Sequence, residues 1–157
     1  MSREKLAFLG GISQVYGEAY TGGATGAIRT EGAKNEIAVN LTGDVLGSLI
    51  LQPVKIPKGS VVTKAYIRVT EAFDLAALSV VEVGTAGSEA TNGVSLTEAN
   101  LESAGYVDVT AALAGTFDAE VPLAADTLLG VAFSAGSVTN AKVGKAVLVF
   151  ETVRVIA

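Results

Sequence analysis

The stretch "IPKGSVVTKAYIRVTEAF", Ile56 to Phe73, constrains the fold of this chain more than any other segment. After the turn-forming Pro57-Lys58-Gly59, Val61, Ala65, Ile67 and Val69 fall on one face, and Lys64, Arg68 and Thr70 on the other. That two-residue period belongs to a β-strand with one buried and one wet face, because successive side chains point to opposite sides of a sheet. At 157 residues the chain has the length of one ordinary domain.

The same grammar recurs along the chain. "EIAVNL" (Glu36 to Leu41) and "SLILQPVKI" (Ser48 to Ile56) read as strands, with Pro53 demoting the second to an edge or a bulge. "LSVVEVGTAG" (Leu78 to Gly87) repeats the alternation and ends in a turn that runs on to Asn92-Gly93. Ser95 to Leu101 suits at most one helical turn, and "GYVDVTAAL" from Gly105 is a short strand entering another turn. "DTLLGVAFSAG" and "KAVLVFETVRVI" are apolar β runs, joined through Gly136 to Gly144 in what reads as a hairpin. Short strands spaced by glycine-rich turns, with no long helix, predict an all-β fold: an antiparallel β-sandwich or jelly-roll-like domain. Residues 1–35, rich in glycine and small polar side chains, read as an extended N-terminal arm, and residues 36–157 as the domain.

Composition narrows the chemistry. The chain has no Cys and no His, which removes disulfides, thiolate chemistry, the usual zinc sites and the commonest general base. A net charge of −5 with singly scattered Lys and Arg argues against a nucleic-acid partner. Hydrophobic residues make up 50% of the chain, but Gly, Thr, Lys or Glu interrupts every apolar run before the length of a spanning helix, so no membrane partner is expected. The opening "MSREKLAFLGG" has no apolar signal-peptide core, which predicts synthesis in the cytoplasm.

Candidate catalytic groups are few. Glu71 with Asp74, or Glu98 with Glu102, has the residue types of a general acid and base pair, but solvated loop acids are the simpler reading. Asp108, Asp118 and Asp126 lack the spacing of a calcium loop, and "GGATG" (Gly22 to Gly26) lacks the Lys-Ser/Thr ending of a phosphate loop. "NLT" at Asn40 is formally a glycosylation acceptor, here read as strand. Tyr16, Tyr20, Tyr66 and Tyr106 are dispersed, which disfavours a sugar-binding sheet face. No catalytic, cofactor-binding or metal-binding residue is expected, and an enzyme is not expected.

The run "PVKIPKGSVVTKAYIRVTEAFD…LSVVEVGTAG…LESAGYVDVTAAL…DTLLGVAFSAG" resembles small β-rich structural proteins of tailed bacteriophages, over roughly Pro53 to Val155. The resemblance lies in turns and strand alternation and carries over no catalytic residue. It implies a virion protein of the capsid decoration (cement) or head-fibre-base type, on the capsid exterior. The implied partners are the major capsid protein and copies of itself, a homotrimer first because such proteins often occupy threefold positions. The alternative is a carbohydrate- or receptor-binding module of a phage fibre or tail. In the arm, Leu6, Phe8, Leu9, Ile12, Val15, Tyr16 and Tyr20 are the expected partner-binding residues, enough to anchor an extended segment in a neighbour's groove.

Overall fold

A computed structural model describes residues 34–155. The arm residues named above and the Gly22 to Gly26 stretch lie outside the described residues. Among the described residues eight strands form two four-stranded antiparallel sheets, and the expected β-sandwich is borne out. They are β1 (Lys34–Thr42), β2 (Lys55–Ile56), β3 (Ser60–Glu71), β4 (Val80–Thr85), β5 (Gly93–Thr97), β6 (Gly105–Asp108), β7 (Thr127–Ala135) and β8 (Lys145–Arg154). The first sheet has the order β1-β8-β3-β6 and the second β2-β7-β4-β5. First strand pairs with last, second with seventh, third with sixth and fourth with fifth, so the pairs nest as in a folded ribbon.

The core forms where alternation from both sheets meets. Val39, Leu148 and Ile67 stand in one cross-strand row of the first sheet, and Leu41, Ala146 and Val69 in another. All six are buried. From the second sheet Val81, Val83, Val94, Leu96, Leu129 and Val131 enter the same core. Phe117, on a short 3-10 turn (Gly115–Phe117), meets Phe150 edge-to-face at 5.4 Å, the geometry that places a ring's positive edge on a negative face. Gly84 and Gly93 face each other in the β4–β5 ladder, and a Cβ on either would run into the other strand's backbone.

Four local expectations are corrected. "DTLLGVAFSAG" and "KAVLVFETVRVI" are strands, but not a hairpin: β7 lies in the second sheet and β8 in the first, so Gly136 to Gly144 crosses between sheets. The Ser48 to Ile56 strand shrinks to Lys55–Ile56, at the sheet edge that Pro53 predicts, and is preceded by a short helix, α1 (Gly43–Ser48). Thr42 starts that helix by accepting a hydrogen bond from Val45 N. Within β3 a bulge between Val62 and Lys64 shifts the phase, and Val62 rather than Val61 joins the core cluster. Of Ser95 to Leu101, read as at most one helical turn, Ser95 to Thr97 instead end β5, and Glu98–Leu101 form a second helical turn, α2. Among the described residues no helix is long and apolar enough to cross a membrane.

Candidate functional site: the outer face of the first sheet

The polar positions of β3 project away from the core, and pairing on both sides builds a face around them. Lys64 stands opposite Glu151, Tyr66 opposite Val149 and Arg68 opposite Val147 on β8. On the other side Tyr66 stands opposite Asp108 and Arg68 opposite Tyr106 on β6. Register therefore joins two tyrosines 40 positions apart in sequence, with ring centroids 5.2 Å apart and planes inclined at 33°. Tyr106 is 55% exposed. The Tyr are thus less dispersed than they read in sequence: Tyr66 and Tyr106 share one face, while Tyr16 and Tyr20 lie outside the described residues.

Charges of both signs rim the rings. Lys34 pairs with Glu151 at 3.4 Å, Lys64 lies 3.8 Å from Asp108, and the Lys64 ammonium sits 5.9 Å from the centre of the Tyr66 ring. The Tyr66 pKa is raised, first by desolvation and then by the Glu36 and Glu151 charges and by Tyr106. Asp108 is held below its usual pKa by the Thr110 hydroxyl and backbone N–H, the latter at 2.9 Å, with Lys64 adding to the effect. The Thr110 hydroxyl carries one proton, for which the Ala65 carbonyl at 3.2 Å competes with Asp108. Arg68 makes no ion pair among the described residues.

The second sheet's outer face holds one buried acid. Glu82 is 4% exposed, and accepts hydrogen bonds from the Ser95 and Ser134 hydroxyls, each at 2.6 Å. With both oxygens engaged, Glu82 ties β5, β4 and β7 together, which answers the cost of burying a carboxylate. Its odd placement among Val81 and Val83 is its only signal in the sequence, since the two serines come from other strands.

The acids singled out from the sequence are absorbed by loops. Glu71 pairs with Lys145 at 3.4 Å. Glu98 accepts from Leu78 N and Glu102 from Leu75 N, so both fasten the β3–β4 connection to α2. Asp126 accepts from Lys58 N, and among the described residues no three acidic side chains converge as metal ligands. Asn40 lies exposed on β1, and Thr42, the third residue of its acceptor triplet, caps α1.

No protein-family model and no curated protein matches the chain. Among solved structures, a chain of the cyanophage Pam1 capsid asymmetric unit superposes with a TM-score of 0.54 at 18% identity, over 82% of this chain and 90% of that one. A chain of the capsid of Ralstonia phage GP4 superposes with a TM-score of 0.48 at 15% identity, over 81% of this chain and 88% of that one. The first of these establishes a shared fold.

Proposed function

We propose that the chain is a structural virion protein that decorates and stabilises a phage capsid, through contacts with the major capsid protein and with copies of itself. The observation that carries this reading is the superposition on a chain of the cyanophage Pam1 capsid asymmetric unit. Coverage of 82% of this chain and 90% of that one makes the likeness span most of both chains. Nested pairing of the eight strands supports a jelly roll, a fold common among capsid proteins. In this reading no chemistry is required of the protein, and its acids serve the fold, as Glu82, Glu98 and Glu102 do.

Attachment on this reading uses the arm, residues 1–35, with Leu6, Phe8, Leu9, Ile12, Val15, Tyr16 and Tyr20 as anchors. It also uses the end of the sandwich that carries the β1–β2 and β3–β4 connections. There Ile50 and Leu78 expose most of their surface, and Leu49 nearly half. On this reading the protein is made in the host cytoplasm, assembles as a cyclic homo-oligomer, a trimer, and sits on the capsid exterior. The test is sedimentation of purified protein with empty phage shells, followed by cryo-microscopy of the pellet. Saturable co-sedimentation, with density at symmetry-related outer positions, is the expected result. Protein that stays in the supernatant at every ratio removes the decoration role.

A further inference from the structure

The outer face of the first sheet carries a recognition chemistry that the attachment proposed above, through the arm and the end with Ile50 and Leu78, does not call on. Val147 and Val149 form the apolar floor of a depression of about 580 Å3, and the Tyr66 and Tyr106 rings form its side. That volume lies in the usual range of small-molecule sites. Around the rings stand acceptors, Glu36, Glu151 and Asp108, and donors, Lys64 and Arg68. The lysines already have carboxylate partners, whereas Arg68, directly across the ladder from Tyr106, makes no ion pair among the described residues.

We propose that this depression binds an acidic saccharide, its ring lying on Tyr106 and Tyr66 and its carboxylate on Arg68. The C–H face of a pyranose is apolar and weakly positive, the complement of an aromatic face. Sugar hydroxyls both donate and accept, so they need a rim of both signs, and here three carboxylates and two cations supply it. A polynucleotide, with a charge on every phosphate, meets those carboxylates repeatedly as repulsion in a chain whose net charge is already −5, whereas a single sugar carboxylate seated on Arg68 meets it once and at a cation. The carboxylate assignment rests on Arg68, because a guanidinium with no acceptor is completed by a planar, bidentate one.

Calorimetry on the full chain with trigalacturonate and with sialyllactose tests this, with maltotriose as the neutral comparison. The expected result is saturable binding of at least one acidic probe with a Kd of about 1 mM or tighter, and much weaker binding of maltotriose. Tyr106→Ala and Arg68→Ala each weaken it about tenfold or more, while Tyr106→Phe, which keeps the ring, stays within about twofold. Both alanine changes are at exposed positions, and an unchanged far-ultraviolet circular dichroism spectrum confirms folding. Failure of both acidic probes to bind, equal binding of maltotriose, or alanine variants that alter sedimentation instead of saccharide binding would overturn the proposal. The last result makes the face a protein contact. Because shells are absent, no outcome depends on the decoration role.

Discussion

Single side chains divide sharply by which face of β3 they occupy. Ile67 is fully buried between Leu148 and Val107, so Ile67→Asp places an unpaired charge in the core. The cost of several kcal/mol is a large share of a total stability of about 5–15 kcal/mol, and loss of the folded β spectrum is expected. Lys64→Ala, three residues away on the wet face, should change the stability by less than about 1 kcal/mol, read from denaturant unfolding, since its pair with Asp108 is exposed. Equal behaviour of the two variants would overturn the register. Asp108 adds a pH dependence. Its folded-state pKa is depressed, so its ionised form stabilises the fold above the ordinary carboxylate value of about 3.9, and that contribution is lost as pH falls through the lowered value. Asp108→Asn keeps an acceptor for Thr110 N but not the charge. It should therefore be less stable than the parent near neutrality, with the gap in melting temperature closing in acid; a gap independent of pH contradicts the assignment.

At the scale of elements, two exposed leucines hold left-handed backbone, Leu49 at φ 57° and Leu78 at φ 61°. Leu78 is 82% exposed, so no burial offsets a strain of about 1 kcal/mol or more. Leu78→Gly relieves it at the expense of a more flexible unfolded chain, for a net change between zero and about 1 kcal/mol of stabilisation. Leu78→Val, β-branched, adds strain, so thermal unfolding should rank Gly at or above Leu, and Leu above Val. The ranking reversed would mean that the leucine side chain is held by contacts within the domain. How far these elements were legible follows from the range of the forces that make them. β1, β3, β4 and β8 follow from alternation within each segment, a local property. β5 was missed because five residues beginning at Gly93 pack only by pairing with β4. The β7–β8 hairpin was misread because each strand's pattern is local while its choice of sheet is not. The phase shift at Thr63 and the meeting of Tyr66 with Tyr106 likewise depend on bulge and register, which no spacing in one segment records.

For the whole molecule, the question is whether the domain stands without the residues before it. β1 begins at Lys34 and pairs with β8 without a register shift through Thr42, and the eight strands of the described residues run from Lys34 to Arg154. The core cluster of the described residues packs the two sheets against each other within that span. Deleting residues 1–33 removes none of these pairings, and is expected to leave the β circular dichroism and the unfolding midpoint close to those of the full chain. If the arm is the attachment device, the same deletion abolishes co-sedimentation with empty shells and lowers the oligomeric state seen in analytical ultracentrifugation. The two readouts separate the alternatives: loss of the β spectrum makes residues 1–33 part of the framework of their own domain. A folded truncation that still binds shells and still oligomerises removes the arm from the mechanism and leaves attachment to the end carrying Leu49, Ile50 and Leu78.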